Sequence, residues 1–225
     1  MEFYKIINAI IDLEWSMFST VNGENRTDCQ ENPQVFRAMR QAQFSAWSPS
    51  AVEHYLNDVE TAAAEGRNLA REKYIRMMKV TDPEAYKAFE KELPPVSPEK
   101  ESLTADIWSH LLLQTLRLRE KYPAVALGGR PLQAGENGEQ GEWASIETYQ
   151  TGELLTYSEE TLRALLAHIQ ALEKEGRDLA YEIQLNTVKC MGFPTLEEAE
   201  KAIAFQFIQQ FGGGECTTCG AYWEK

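Results

Sequence analysis

One eight-residue stretch occurs twice in this chain and decides how the rest is interpreted. It reads Glu-Gly-Arg-Asn-Leu-Ala-Arg-Glu at residues 65–72 and Glu-Gly-Arg-Asp-Leu-Ala-Tyr-Glu at residues 175–182, which is 110 positions further along. The pattern predicts an internal duplication, with two similar helical units packed around a pseudo-two-fold axis. Two similar amphipathic helices with convergent ends are the alternative. The same offset aligns further pairs without a gap: Ser48 with Ser158, Val52 with Leu162, Val59 with Ile169 and Gln43 with Glu153.

Helix signals dominate the remaining sequence. Capping residues precede proline at Ser48-Pro49, Asp82-Pro83 and Ser97-Pro98, and Thr195 with Glu198 has the spacing of a capping box. Apolar residues recur at helical spacing, and no convincing pair of alternating strands is present. We therefore predict an all-α fold.

The domain organisation follows from the repeat and from the glycines near the C-terminus. Residues 1–211 are predicted to form a single all-α domain, with repeat halves of roughly 1–95 and 97–211. Residues 212–225 begin with three glycines and contain a CxxC pair, so they are predicted to form a flexible tail.

Charge and composition exclude several functional classes. The chain has 225 residues, with 22 Lys and Arg against 35 Asp and Glu, giving a net charge of -13. No cluster of basic residues is dense enough to bind phosphates, so we expect neither a nucleic-acid partner nor binding to a membrane. The first 15 residues carry three acidic side chains and no uninterrupted apolar run, which predicts a cytoplasmic protein without a signal peptide.

Glu14 is the strongest candidate for a catalytic residue. It lies on the apolar stripe formed by Ile7, Ile10 and Ile11. Burial would raise the pKa of such a carboxyl group and suit it to acid–base catalysis, whereas a nearby arginine would lower it. A structural ion pair with a buried arginine is therefore the alternative to a catalytic role.

The repeated stretch supplies further candidates. Arg67 and Arg177 each follow a glycine, and we expect them to be the partners of Glu14 or to hold an anionic ligand. Asn68 and Asp178 each lie four residues before a glutamate, so each pair shares one helix face. A solvated or internally paired face is the alternative for all four residues.

Gln43 and Glu153 are equivalent under the repeat, and each interrupts a stripe of apolar and aromatic residues. Buried polar groups need partners. The two residues either satisfy one another across the axis or bind a polar ligand.

The tail contains Cys216 and Cys219, whose CxxC spacing suits half of a zinc site or a redox dithiol. A zinc site would need two further ligands, which either distant residues of the same chain or the second tail of a homodimer could supply. A frayed, reduced tail is the alternative.

A further set of motifs is spread over nearly the whole chain, to about Phe211. They include Asp12-Leu-Glu-Trp15, Met39-Arg40, Gly66-Arg-Asn-Leu69, Glu72-Lys-Tyr74, Gly129-Arg130 and Ser145-x-Glu147-Thr-Tyr149. In combination these motifs resemble the bacterial family called domain of unknown function 4125 (DUF4125), which implies a bacterial or archaeal cytoplasmic protein and implies no reaction. The resemblance adds Tyr74, Arg130 and Tyr149 to the candidate binding residues, since these lie in its motifs.

Three hypotheses for function follow. The first is an enzyme or binding protein for a small anionic or polar molecule, with a pocket between the two halves. The second is a non-catalytic helical interaction or assembly protein whose tail binds zinc, and the third is a redox protein. In the first hypothesis Glu14 and Glu153 are the candidate catalytic residues, and the candidate ligand-binding residues are Gln43, Arg67, Asn68, Tyr74, Arg130, Tyr149, Arg177 and Asp178.

Overall fold

The computed structural model describes residues 2–21, 32–127, 129–133 and 144–211. The predicted tail at 212–225, with Cys216 and Cys219, lies outside the described residues.

The described residues form eleven α-helices and no strand, which confirms the predicted all-α fold. A short 3-10 turn at Glu90–Glu92 follows the fifth helix. The helices are α1 (Glu2–Phe18), α2 (Pro33–Phe44), α3 (Pro49–Ala64), α4 (Leu69–Thr81), α5 (Pro83–Phe89), α6 (Pro98–Lys121), α7 (Pro123–Ala126), α8 (Ile146–Leu154), α9 (Glu159–Lys174), α10 (Leu179–Cys190) and α11 (Leu196–Phe211). In the part of the chain that is described, no helix is long and apolar enough to cross a membrane.

The helix starts predicted from capping residues are confirmed. Side-chain oxygens of Ser48, Asp82 and Ser97 accept hydrogen bonds from backbone N–H groups three residues later, at 3.2, 3.0 and 3.0 Å. The Thr195 hydroxyl accepts from the Glu198 N–H at 3.2 Å. Each side chain satisfies a donor that the first helical turn leaves without a partner.

Corresponding helices of the two halves have corresponding neighbours. Helix α1 packs against α2, α3 and α4, and α6 packs in the same way against α8, α9 and α10. Helices α3 and α9 contact each other, while α2 crosses to α10 and α8 crosses to α4. The central contacts of the fold are therefore made between the halves.

The two copies of the repeated stretch also have the same backbone conformation. Gly66 has a φ of 71° and Gly176 a φ of 72°, a region that favours glycine. The N–H groups of Arg67 and Arg177 donate to the carbonyls of Ala62 and Leu172 at 2.8 and 2.9 Å. Each glycine thus ends one helix and allows the turn into the next.

The main hydrophobic core lies around α1, α3 and α9. Ile7, Ile10 and Ile11 are fully buried there, together with Val59 and Ile169. A smaller cluster holds α11 against α7 and α10, through Tyr122, Val188, Leu196 and Ala199. The predicted apolar stripe of α1 therefore faces the centre of the molecule, and it carries Glu14 inward.

Candidate functional site

A buried network of charged side chains connects the two halves. Arg40 of α2 donates from Nε to Glu14 Oε2 at 2.7 Å, and its Nη2 pairs with Glu14 Oε1. The Nη1 atom of Arg40 donates to Glu153 Oε1 of α8 and to Gln43 Oε1, at 2.8 Å each. One guanidinium therefore joins a carboxylate from the first half to a carboxylate from the second.

Two tyrosines and a lysine complete the network. Tyr55 donates to Glu14 Oε1 at 2.6 Å, and Tyr157 donates to Glu153 Oε1 at 2.7 Å. The centroids of the two tyrosine rings lie 4.6 Å apart. Lys73 of α4 forms an ion pair with Glu153 Oε2. We call this set of eight side chains the inter-half network; it includes Tyr149, which is described below. Its members are Glu14, Arg40, Gln43, Tyr55, Lys73, Tyr149, Glu153 and Tyr157.

The electrostatic environment fixes the protonation of Glu153. Burial by itself raises the pKa of this carboxyl group, but the charges of Arg40 and Lys73 outweigh it and hold the pKa well below its usual range. For the Lys73 ammonium group, burial has the opposite effect and lowers the pKa. The charge of Glu153 more than offsets this effect, so the pKa of Lys73 is raised above its usual value. At neutral pH Glu153 is therefore an ionised acceptor and Lys73 a cation.

The two tyrosines keep their protons. Burial is the largest cause that raises the pKa of Tyr55 and of Tyr157, and the neighbouring carboxylate of each, Glu14 or Glu153, raises it further. Both hydroxyls therefore act as donors to carboxylates.

Tyr149 of α8 forms the edge of the network with two cations on its ring. Lys73 Nζ lies 3.2 Å from the ring centroid, and the Arg130 guanidinium carbon lies 5.1 Å from it. Cations at such distances are attracted to the electron-rich face of the ring. Arg130 also donates to the Ala144 carbonyl at 3.1 Å. Tyr149 and Arg130 are partly exposed, so this edge of the network lies nearer the protein surface than the charged pairs behind it.

The structure thus brings together five residues singled out from the sequence: Glu14, Gln43, Glu153, Tyr149 and Arg130. Gln43 Nε2 lies 3.4 Å from Glu153 Oε1, so the two equivalent polar residues do contact each other. Tyr74, on α4, is partly buried and directly follows Lys73.

The expected pairing of Glu14 with Arg67 or Arg177 is wrong, because Arg40 is the partner. Arg67 donates to Glu72 at 2.8 and 2.9 Å and pairs with Glu65. Arg177 makes the equivalent contacts to Glu182 and Glu175. Each arginine is held by glutamates of its own repeated stretch. These glutamates are the nearest available partners because they lie only a few residues away in sequence.

Asn68 and Asp178 begin equivalent helices but make different contacts. Asn68 accepts from the Arg71 N–H at 2.9 Å and donates to the Met17 carbonyl at 2.8 Å. Asp178 makes no side-chain cap and instead accepts from Arg117 at 2.7 and 3.0 Å. Asp178 and Arg177 line a cavity of about 360 Å³, together with Arg117, Lys121, Tyr122 and Tyr181 among others.

Sequence reasoning misses Arg40, Lys73, Tyr55 and Tyr157 as members of the site. One signal is present for Arg40, which lies three residues before Gln43 and therefore on the same face of its helix. No local signal marks Lys73, because its partner belongs to the other half. Within the described residues no group of three or more metal-ligating side chains is present.

Comparison with known proteins identifies the family. The family described as "Protein of unknown function (DUF4125)" matches residues 4–201, so the chain belongs to it. Neither the search of curated proteins nor the search of solved structures found a match.

Proposed function

We propose that this member of the DUF4125 family binds a small molecule with an anionic group at the Tyr149 edge of the inter-half network. The observation that carries the proposal is the placement of Lys73 and Arg130 on one partly exposed ring, that of Tyr149. Two cations and an aromatic face suit a planar or compact anion, and the buried ion pairs of the network hold these groups in place.

The cost of the network supports a role beyond folding. Taking charges out of water is expensive, and hydrophobic residues of similar volume often give equal or greater stability than a buried ion pair. The side chains of Glu14, Arg40, Lys73 and Glu153 are only 10–13% exposed. A binding site needs charged groups in a fixed geometry, and this need is one reason to retain a buried network of ion pairs.

Binding suits the protonation states better than acid catalysis does. Glu153 is ionised at neutral pH and has no proton to give. Glu14 remains the candidate catalytic residue, since Tyr55 and Arg40 hold its carboxylate in one orientation.

We infer that the two halves arose by duplication and are related by a pseudo-two-fold axis between α3 and α9. The matching helix neighbours and the matching turns at Gly66 and Gly176 support this. The charged groups themselves are not repeated. The residues that align with Arg40, Tyr55 and Lys73 are Gln150, Leu165 and Ile183. The proposal therefore has one site in the chain and not two.

The test begins with native mass spectrometry of the purified protein, compared with a denatured sample. It is followed by thermal melts with phosphate, citrate and glutamate as probes. We expect a retained ligand or a rise in melting temperature with at least one anion, and loss of that effect in Arg130→Gln. Arg177→Gln is the control, because it removes an arginine that is paired outside the network. An equal response of both variants would contradict the proposal.

We propose as a second function the assembly of two chains in the cytoplasm through the tail. Two CxxC pairs, each with Cys216 and Cys219, would supply the four thiolates of a structural zinc site. Native mass spectra should then show one zinc per two chains and dissociation with a chelator. A monomer at all concentrations, with or without chelator, would contradict this function, and a reversible dithiol in that monomer would favour the redox alternative.

A further inference from the structure

The cavity of about 360 Å³ lies where the end of α6 meets the beginning of α10. Its walls come from the last two turns of α6, from the turn at Gly176 and from the first turn of α10, and these two helices pack against each other. None of the lining residues belongs to the inter-half network. Pockets that hold small molecules typically measure about 300–1,000 Å³, so this cavity has room for a small ligand.

Two carboxylates in the wall are already paired with arginines of the same wall. Arg117 donates from Nε and Nη2 to Asp178 at 3.0 and 2.7 Å. Arg177 donates from Nε and Nη2 to Glu182 at 3.1 and 2.9 Å. The negative charges of the cavity are therefore balanced without a ligand.

The third cation of the wall, Lys121, keeps most of its charge unpaired. Its Nζ atom lies 3.8 Å from Glu197, beyond hydrogen-bond distance, and its side chain is 66% exposed. Arg117 lies one turn earlier on the same face of α6, and its Nη1 atom has no partner among the described residues. The cavity therefore presents an ammonium group and a guanidinium N–H group that an anion would satisfy.

Two tyrosines form an aromatic part of the same wall. Tyr122 is 3% exposed, Tyr181 is partly buried, and their ring centroids lie 6.3 Å apart. The Tyr122 hydroxyl donates to Glu197, which fixes the ring. Aromatic rings attract each other at centroid distances of about 4.5–7 Å, so these two rings suit a further flat ring beside them.

The first copy of the repeated stretch lacks this arrangement. Asn68 caps α4 by accepting from the Arg71 N–H at 2.9 Å. Asp178 makes no side-chain cap for α10, and its carboxylate holds Arg117 at the cavity instead. Tyr181 occupies the position of Arg71. The second copy therefore gives up a stabilising cap and gains a fixed arginine and an aromatic ring at the cavity, which a binding role explains.

We propose that this cavity binds a small aromatic anion, a molecule in which a carboxylate or phosphate group is attached to a flat ring. Lys121 and the Nη1 atom of Arg117 hold the anionic group, while Tyr122 and Tyr181 pack against the ring. Arg117 can bind through Nη1 without losing its pair with Asp178, because that pair uses Nε and Nη2. The site is separate from the one proposed on Tyr149.

The test is a calorimetric titration of the full chain with benzoate and, in parallel, with phenyl phosphate, at constant ionic strength. Acetate and inorganic phosphate are matched probes that carry the anionic group without the ring. Benzamide carries the ring without the charge. We expect at least one aromatic anion to bind about tenfold or more tightly than its matched probes, because it alone contacts both parts of the wall. The tighter of the two aromatic anions identifies the anionic group.

Lys121→Gln should weaken the binding of the aromatic anion about tenfold, the usual effect of one charge-assisted contact, and should not change the binding of benzamide. Lys87→Gln is the matched control, because Lys87 is 65% exposed and is also paired with a glutamate, but lies on α5. Tyr181→Phe keeps the ring and should bind like the wild type, whereas Tyr181→Leu should bind more weakly. Melting temperatures without ligand check that each variant is folded.

Several results would overturn the inference. One is a wild type that binds neither aromatic anion, or that binds acetate and inorganic phosphate as tightly as their aromatic counterparts. Another is an equal loss of affinity in Lys87→Gln and Lys121→Gln, since the effect would then be one of net charge. Binding that survives in Lys121→Gln and disappears in Arg130→Gln would assign the aromatic anion to the site on Tyr149.

Discussion

Arg40 Nη1 lies 2.8 Å from Glu153 Oε1, although 113 residues separate the two in sequence. The contact is the centre of a row of alternating charges that runs from Glu14 through Arg40 and Glu153 to Lys73. The two positive and two negative charges of the row cancel. The row passes from α1 and α2 of the first half to α8 of the second half, and returns to α4 of the first. Each half of the chain therefore depends on the other to keep its buried charges paired.

Replacement of Arg40 should destabilise the fold strongly. Arg40→Gln leaves two buried carboxylates with fewer donors, and breaking a buried pair typically costs about 3–5 kcal/mol. We expect the free energy of unfolding, measured with urea, to fall by about 3 kcal/mol or more. The control is Arg37→Gln on the same helix, whose ion pair with Asp12 is exposed and should cost below about 1 kcal/mol. Similar losses in both variants would contradict a central role for Arg40.

The stability of the protein should depend on Glu153 in the acid range. The pKa of this carboxyl group is lowered in the folded chain, whereas the unfolded value is about 4.3. The stabilisation is therefore complete above the unfolded pKa and is lost as the pH falls towards the folded one. Between pH 5 and pH 3 the wild type should lose up to about 1.4 kcal/mol per pH unit through this group.

Glu153→Gln tests that dependence, since it removes the titrating group. The variant should be much less stable than the wild type at pH 7, and the difference should shrink as the pH is lowered. Urea unfolding at pH 7, 5, 4 and 3 measures it. Glu84→Gln, in an exposed ion pair with Lys87, should follow the wild type at every pH. A constant difference between the wild type and Glu153→Gln would show that the charge of Glu153 does not act as described.

Gly152 sets the distance between α8 and α4. A Cβ atom at this position would lie 2.9 Å from Met77 Cγ and 3.3 Å from the Lys73 carbonyl oxygen. Gly152→Ala should therefore push the helices apart and cost about 1–3 kcal/mol. The double variant Gly152→Ala/Met77→Ala should lose less than the sum of the two single losses, because the side-chain clash is gone. Strict additivity in urea unfolding would argue against this contact.

The two repeated turns should respond equally to substitution. Gly66 and Gly176 have positive φ angles of 71° and 72°, and at neither position would an added Cβ atom have a neighbour within 4 Å. Alanine at either position should cost about 1 kcal/mol through backbone strain alone, and asparagine less. Thermal or urea unfolding of all four variants measures this. Clearly unequal alanine costs at the two positions would contradict the equivalence of the turns.

Much of the fold can be predicted from local sequence because its determinants are local. A serine or aspartate before proline fixes a helix start, and apolar spacing fixes the face that turns inward, as for Ile7, Ile10 and Ile11 of α1. The repeat itself is also visible locally, although the helix ends at Gly66 and Gly176, with their matching backbone conformations, are not predicted from it. These features act within a few residues and do not require knowledge of how the helices pack.

The candidate site can be predicted in part. Glu14, Gln43 and Glu153 stand out because each polar residue interrupts an apolar stripe, and all three lie in the network. Lys73 does not stand out, since its ion pair forms only where α4 meets α8. Arg67 and Arg177 look like partners of Glu14 because they are arginines in a repeated motif, but glutamates of the same motif hold them.

The sequence by itself determined that the chain is helical, where the helices after Ser48, Asp82, Ser97 and Thr195 begin, and that Glu14, Gln43 and Glu153 interrupt apolar faces. Hydrogen bonding within a helix and the burial of its apolar face depend on residues a few positions apart. Only the tertiary structure decided that Arg40 is the partner of Glu14 and that Lys73 reaches Glu153. Those pairings depend on how α2, α4 and α8 cross, and a crossing is set by packing along the whole length of each helix.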